Sequence, residues 1–170
     1  YESLGKDIQF TELTVTSSRR FNDWRDHQVF LKRRTEKIKK GESMNLPSLP
    51  EYENYQSDYV KDFYTLVFSH PSVTSLTFWN LADRNAWRGH AGGLLDNNLE
   101  PKKAYYTLKD LIKNKWTTKV VKTVKLGEIV TFNGFYGHYS GKIVIDGNAY
   151  DIEFTHSKKS TLPIVVNLTN

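Results

Sequence analysis

The first 116 residues alternate between short apolar runs and amphipathic stretches. Residues 8–15 (IQFTELTV) and 73–79 (VTSLTFW) are apolar, β-branched runs bounded by polar loops, a pattern that predicts buried strands. Apolar positions recur close to the helical period through residues 54–69 and again from 101 to about 115. The order strand, insertion, helix, strand, loop, helix describes two β/α units, and it predicts parallel strands covered by helices.

A long polar insertion, residues 17–50, separates the first strand from its helix. Within it, residues 24–38 predict a basic helix that has Trp24, Leu31 and Ile38 on one side. Residues 41–50 contain glycine and two prolines, which we expect to end that helix.

The pattern changes after Trp116. Residues 120–166 alternate and are interrupted by glycines, and Asp146–Gly147 lies between two alternating runs, which is a strong hairpin pattern. We therefore expect four or five short antiparallel strands in a small, β-sandwich-like module. The predicted division is residues 1–116, holding the β/α units, and residues 117–170, holding this module.

Composition narrows the possible functions. Aromatic residues make up 14% of the chain, and surplus Trp and Tyr suit a sugar-binding surface, because the apolar face of a pyranose packs on a ring. The net charge of +5 has no nucleic-acid motif attached, so no nucleic-acid partner is expected. Cysteine is absent, which excludes disulfides and cysteine metal sites, and no apolar run approaches the roughly 20 residues of a membrane span.

Several short motifs, in order, resemble one enzyme family. They are residues 10–13 (FTEL), 70–73 (HPSV), 76–79 (LTFW), 79–88 (WNLADRNAWR), 94–96 (LLD) and 101–105 (PKKAY). Together they resemble the C-terminal part of the retaining endo-1,4-β-xylanases of glycoside hydrolase family 10. The resemblance implies an α/β fold, the C-terminal portion of a (β/α)8 TIM barrel (strands 7 and 8 with their helices) followed by a small antiparallel β module. Thr14, Asn80 and Ala82 depart from the residues usual in the family.

The resemblance also implies site residues. Glu12 would be the catalytic nucleophile in double-displacement hydrolysis of the xylan backbone, and Trp79 and Trp87 would form aromatic walls over the sugar. Asn80 and Arg88 would contact sugar hydroxyls, and neither a cofactor nor a metal is expected. Read without the resemblance, Glu12 is better explained as a strand-end carboxylate that binds a neighbouring arginine.

The acid/base glutamate of the family lies on strand 4, which has no match in this chain. A whole barrel needs about 250 residues, whereas matches exist here for two strands only. We therefore expect the chain to fold against the remainder of the barrel, supplied by an N-terminal segment or chain. We also expect secretion, with the signal peptide outside these residues.

Two alternatives do not involve catalysis by this chain. Residues 117–170 could form a carbohydrate-binding module that uses Tyr136, Tyr139 and Tyr150, although hairpin tyrosines more often pair across strands. The basic insertion could instead dock an acidic partner or glycan in an interaction protein derived from a xylanase. The presence of Glu12, Trp79 and Trp87 favours an active enzyme over these two alternatives.

Overall fold

The computed structural model describes residues 2–84, 86–125 and 127–166. The chain divides into two compact units, Tyr1–Asn114 and Lys115–Asn170. Among the described residues, no helix is both long enough and apolar enough to cross a membrane.

The first unit contains a two-stranded sheet. Strand β1 (Ile8–Leu13) pairs in parallel with β2 (Val73–Phe78), as the β/α pattern predicted. Just beyond the two strands, the Trp79 N–H donates to the carbonyl of Leu13 at 2.7 Å and holds their carboxyl ends together. Parallel strands put these ends at the same edge of a sheet, so the residues that follow each strand are neighbours.

Among the described residues, three α-helices accompany the sheet. Helix α1 (Trp24–Lys39) is the predicted basic helix, and its first turn is capped by the Asp23 carboxylate, which accepts the Asp26 N–H at 2.8 Å. Helix α2 (Pro50–Phe68) begins four residues earlier than predicted. Pro50, interpreted from the sequence as a helix breaker, is its first residue, where the missing N–H costs nothing.

Helix α3 spans Lys103–Asp110 and continues as a π-helical turn, Leu111–Lys115. Its start lies two residues after the predicted Pro101. Helix α2 packs against α3, and two polar contacts join them: Ser57 Oγ lies 2.7 Å from Thr107 Oγ1, and Lys103 Nζ donates to Asn54 Oδ1 at 2.6 Å.

The core of this unit lies between these two helices and the loops, away from the sheet. The buried apolar residues described in this unit come from the segment after β1, the helices, the connection between α1 and α2, and the loop before α3: Val15, Phe30, Leu46, Val60, Val67, Ala86, Ala91, Ala104, Leu108 and Leu111. No residue of β1 or β2 is buried.

The described part of the second unit contains one hairpin. Strands β3 (Gly137–Ile145) and β4 (Asn148–His156) pair antiparallel around Asp146–Gly147, whose φ values of 49° and 83° suit a tight hairpin turn. The predicted hairpin is confirmed. The expected four or five strands are wrong for the described part of this unit, which has two; residues 167–170 of the predicted module lie outside the described residues.

The tyrosines of the hairpin differ in exposure. Tyr139 stacks on Phe154 across the strands at 5.0 Å, and its hydroxyl donates to the Phe135 carbonyl at 2.7 Å. Tyr136 is 58% exposed, and its ring lies 5.0 Å from that of His156. Tyr139 therefore packs as an ordinary cross-strand ring, and Tyr136 is the more accessible of the two.

Candidate functional site

Glu12 lies in the carboxyl half of β1 with its side chain exposed. Within the described residues, its carboxylate makes neither a hydrogen bond nor an ion pair. The strand-end salt bridge with an arginine, the plain alternative from the sequence, is therefore not formed. A carboxylate without a partner keeps its oxygens available for other chemistry.

The strand pairing is irregular around Glu12. Phe10 pairs with Leu76 and Leu13 pairs with Phe78, so three steps along β1 match two steps along β2. An extra residue of this kind is a bulge, which interrupts the alternation of side chains and re-aims one of them. Phe10 contacts Phe63 of α2 edge-to-face at 5.5 Å. Because of the bulge, Glu12 is not held to the helix-facing side that Phe10 occupies.

Trp79 and Asn80 follow directly after β2. The Trp79 side chain is 41% exposed. Asn80 has a φ of 77°, in the left-handed region that asparagine tolerates better than most residues. Its Oδ1 accepts the Trp87 N–H at 3.3 Å, so Asn80 ties the strand end to the turn that carries the second tryptophan.

Trp87 and Arg88 lie in a short 3-10 turn, Trp87–Gly89. Trp87 is 62% exposed, and the Arg88 guanidinium lies over its ring at 4.5 Å from the centroid. Arg88 has a φ of 60°, an uncommon conformation for a residue with a long side chain. Strained residues of this type concentrate at functional sites.

Asn80, Trp87 and Arg88 border an open cavity of about 330 Å³. It is lined by Thr14, Thr16, Arg19, Arg20, Phe21, Asn80, Trp87, Arg88 and His90. Asn80, Trp87 and Arg88 were predicted from the sequence, and the structure brings them together here. Glu12 and Trp79 do not line the cavity, although each is within two residues of one that does. We call this cavity the arginine groove.

Sequence reasoning missed six residues of the arginine groove: Thr14, Thr16, Arg19, Arg20, Phe21 and His90. The first five belong to the segment directly after the first strand, and residues in that position meet the ligand in open α/β sheets. That rule could have identified them. Nothing in the local sequence pattern distinguishes His90 from other loop residues.

A buried ion pair fixes the loop between β2 and α3. Lys102 Nζ lies 3.1 Å from both carboxylate oxygens of Asp83, and the two side chains are 2% and 1% exposed. Asp83 Oδ1 also accepts the Gly93 N–H at 2.7 Å. Burial raises the pKa of the Asp83 carboxyl and lowers that of the Lys102 ammonium, while the charge of each partner opposes the shift of the other.

Close backbone packing adds to this fixation. A Cβ at Gly93 would overlap the backbone of Ala82, so only glycine fits there. Gln56 of α2, fully buried, donates its amide to the carbonyls of Val15 at 2.6 Å and Gly93 at 3.2 Å. Asp83 therefore orders the loop and is not available as a second catalytic carboxylate.

The insertion packs onto the same loop. Arg34 of α1 donates to the carbonyls of Met44 at 3.1 Å and Ala86 at 3.4 Å. The Leu46 N–H donates to the Gly89 carbonyl at 2.8 Å. Gly89 has a φ of 70°, and a side chain there would overlap that of Arg34. The insertion thus buttresses the turn that presents Trp87 and Arg88.

Aromatic rings and imidazoles pack together at the arginine groove, and Phe21 and His90 of this cluster line it. His90 lies within 5.4 Å of both the Phe21 and the His27 rings, measured between centroids. Burial, together with the charges of His27, Arg88 and Arg34, lowers the pKa of His90. In the described residues, the buried His27 Nε2 has no hydrogen-bond partner.

The site contains groups for binding a sugar and one group for nucleophilic attack. Exposed indole rings offer apolar faces, and the arginine and asparagine side chains offer hydrogen-bond donors. Glu12 is the only one of the five predicted site residues that carries a carboxylate. In the part of the chain that the structure describes, no cluster of three or more His, Asp or Glu side chains could hold a metal ion.

Comparison with known proteins shows which ones the chain resembles. An anti-sigma-I factor, RsgI6, of Acetivibrio thermocellus is 29% identical over 111 residues, which is 61% of this chain and 14% of that protein. Three solved structures are each 20% identical. They are a β-glucuronidase of Bifidobacterium dentium complexed with coumarin-3-O-glucuronide (TM-score 0.43), xylanase 10B of Thermotoga petrophila in complex with xylobiose (0.40) and native xylanase 10B of Thermotoga maritima (0.40).

The matches cover 66%, 67% and 65% of this chain but 16%, 39% and 37% of the respective solved chains. The chain therefore spans well under half the length of each of these proteins. The sequence profile of glycosyl hydrolase family 10 matches residues 1–111. This chain belongs to glycosyl hydrolase family 10, whose fold is the (β/α)8 barrel.

Proposed function

We propose that the chain supplies strands seven and eight of a (β/α)8 barrel and the nucleophile of a retaining endo-1,4-β-xylanase. The observation that carries the proposal is the state of Glu12. It is exposed and unpaired, next to a bulge in the carboxyl half of a parallel strand, in a chain that belongs to family 10. Enzymes with this barrel place their chemistry at the carboxyl ends of the strands.

In the proposed reaction, a Glu12 carboxylate oxygen attacks the anomeric carbon of a xylose residue. The bond from that carbon to the leaving oxygen breaks, and an acid/base carboxyl protonates the leaving oxygen. Water, deprotonated by the same acid/base, then releases the sugar from Glu12 with net retention. Such a pair of carboxyl groups stands about 5–5.5 Å apart.

The acid/base would come from the remainder of the barrel. Within the described ranges, each strand of the β1–β2 pair has one neighbour and leaves a free edge, and neither strand has a buried residue. Open edges of this kind pair readily with further strands. We propose that strands one to six, from an N-terminal segment or a separate chain, cover both edges.

Xylan or xylo-oligosaccharide is the proposed ligand. The exposed Trp79 and Trp87 rings would pack on sugar faces, and Asn80 and Arg88 would donate to sugar hydroxyls. Because xylan is an extracellular polymer, we place the protein outside the cell.

The test is reconstitution. The full chain is mixed with a family 10 segment that supplies strands one to six, and xylan hydrolysis is measured. We expect activity in the mixture alone, and a loss on the order of 10⁴-fold or more with Glu12→Gln. Glu51→Gln, a matched exposed glutamate in the first turn of α2, should leave activity unchanged.

Azide provides a more specific test of the role of Glu12. With Glu12→Ala, azide can enter the space of the lost carboxylate and attack the anomeric carbon from the same face. An aryl β-xyloside should then give an α-xylosyl azide and restored turnover. Restored turnover with a β-azide product, or activity of the Glu12→Gln mixture equal to that of the unmodified mixture, would exclude Glu12 as the nucleophile.

A second candidate function is glycan binding without hydrolysis, in a protein whose role is an interaction with another protein. The similarity to a protein named as an anti-sigma-I factor favours it. In that case the reconstituted barrel would bind xylo-oligosaccharides but release no reducing ends, although Glu12 is intact.

A further inference from the structure

The arginine groove is strongly cationic. Three of its nine lining residues are arginines, and none is an aspartate or a glutamate. Burial lowers the pKa of His90, which disfavours the charged form of its ring. A neutral xylan backbone offers no charge to complement such a lining.

Among the described residues, two of the three arginines form no ion pair. Arg19 pairs with Asp26 at 3.1 Å. Arg20 and Arg88 have no carboxylate partner in the described portion of the chain. Unpaired arginines in one groove repel each other, and a bound anion would relieve that repulsion.

Aromatic stacking orients both unpaired arginines. The Arg20 guanidinium lies 4.9 Å from the centroid of the Tyr55 ring, and that of Arg88 lies 4.5 Å from the Trp87 centroid. Contacts of this kind restrict each side chain. When a guanidinium stacks through its face, its N–H groups stay free at the edge, in the fork that matches a carboxylate.

The rest of the lining suits a sugar ring. The Trp87 side chain presents an exposed apolar surface, and Thr14, Thr16 and Asn80 contribute hydroxyl and amide groups. A small inorganic anion would leave the indole unused. A ligand that uses both kinds of group has a pyranose ring and a carboxylate, which describes a uronic acid.

The groove is close to the proposed point of attack. Thr14 follows Glu12 by two residues, about 7 Å along an extended chain. Asn80 is the neighbour of Trp79 on the adjacent strand end. A branch on a sugar bound near Glu12 could therefore reach the groove while the main chain stays at the strand ends.

We infer that the arginine groove binds the carboxylate of a uronic acid branch, so that the preferred substrate class is acidic xylan. The inference deepens the proposed function and rests on it for the identity of the main chain. It does not depend on catalysis by Glu12, because binding alone can test it.

The experiment measures binding of two oligosaccharides of equal length to the full chain by calorimetry. One is an unbranched β-1,4-xylo-oligosaccharide, and the other carries a single glucuronic acid branch. We expect the acidic compound to bind at least about tenfold more tightly, as charge-assisted hydrogen bonds to a carboxylate would provide. Raising the salt concentration should reduce the preference.

Single substitutions identify which arginines cause the preference for the acidic oligosaccharide. Arg20→Gln and Arg88→Gln should each remove most of it. Arg88→Lys keeps the charge but loses the planar fork, so an intermediate preference is expected. Arg33→Gln removes an exposed arginine of α1 that lies outside the groove, and it should leave the preference intact. Circular dichroism of each variant checks that the fold is kept.

Three outcomes would overturn the inference: equal affinity for the two compounds, no binding of either, or inorganic phosphate binding as tightly as the acidic oligosaccharide. The last would identify a general anion site. Hydrolysis of unbranched xylan by the reconstituted barrel is a separate measurement, so the proposed function can stand while this inference fails.

Discussion

The loop between β2 and α3 and the two-stranded sheet lie in one unit, yet they differ sharply in burial. Asp83, Ala86 and Ala91 of the loop are 1%, 2% and 0% exposed. No residue of β1 or β2 is buried. In a complete (β/α)8 barrel the strands surround a packed interior, so their residues are expected to be more buried than those of the loops. In this chain the loop is more buried than the strands.

The difference shows which parts of the site this chain can fix by itself. The positions of Trp87 and Arg88 depend on contacts within the chain, through Arg34, the Asp83–Lys102 pair and Gly93. The setting of Glu12 depends on a sheet with two open edges. We therefore expect ligand binding in the arginine groove to tolerate the absence of the remaining barrel better than catalysis does.

The largest effect on stability should come from removing the ion pair that fixes the loop between β2 and α3. Lys102→Met removes the ammonium and leaves the Asp83 carboxylate buried without its partner. Removing one partner of a buried ion pair costs about 3–5 kcal/mol. The free energy of unfolding, measured by urea titration with tryptophan fluorescence, should fall by about that amount.

Two controls accompany this variant. Lys103→Met changes the neighbouring lysine, whose bond to Asn54 is exposed, and should cost less than about 1 kcal/mol. The double variant Asp83→Asn with Lys102→Met removes both charges and should recover part of the loss. If Lys102→Met is as stable as the unmodified chain, the loop does not form the stable part of this unit.

The sequence predicted the sheet better than it predicted the loop. Apolar runs and helical periodicity are local patterns, and they indicated β1, β2, their parallel pairing and the β3–β4 hairpin correctly. The Asp83–Lys102 pair joins residues 19 positions apart within a polar stretch. Neither residue has a neighbourhood that predicts burial, so the pair is visible only in the fold.

The candidate site also contains residues that were predicted from the sequence and residues that only the structure revealed. Asn80, Trp87 and Arg88 were predicted through a family resemblance, and the structure puts them around one cavity. Arg19 and Arg20 come from a segment of the insertion that has no counterpart in the motifs, and the sequence pattern indicated only a polar insertion there. Whether Glu12 and Trp79 act on substrate stays a prediction.

A smaller effect on stability is expected from a substitution in the sheet, and it tests whether further strands pack on β1. Phe10 is 37% exposed and contacts Phe63, so Phe10→Ala should cost about 1–2 kcal/mol in this chain, compared with about 3–5 kcal/mol for a fully buried phenylalanine. The cost should rise toward the larger value when strands one to six are supplied, because they would cover β1.

Urea titrations of the chain alone and of the reconstituted barrel measure this change. Val144→Ala, at a 66% exposed position of β3 in the second unit, provides the control and should cost little in both preparations. An equal cost of Phe10→Ala with and without the added strands would show that they do not pack on β1.

The smallest effect concerns the pH dependence of the loop through His90. Its pKa in the folded chain lies below the ordinary 6.5, first because of burial and then because of His27, Arg88 and Arg34. Just below pH 6.5 the unfolded chain binds a proton at this residue more readily than the folded chain does, so stability falls with acidification. The loss begins as the pH drops through 6.5 and stops growing below the folded pKa. His90→Gln should reduce the loss in urea midpoint between pH 7.5 and 5.5. An identical pH dependence of the His90→Gln variant and the unmodified chain would mean that the His90 imidazole is no more shielded from water in the folded chain than in the unfolded one.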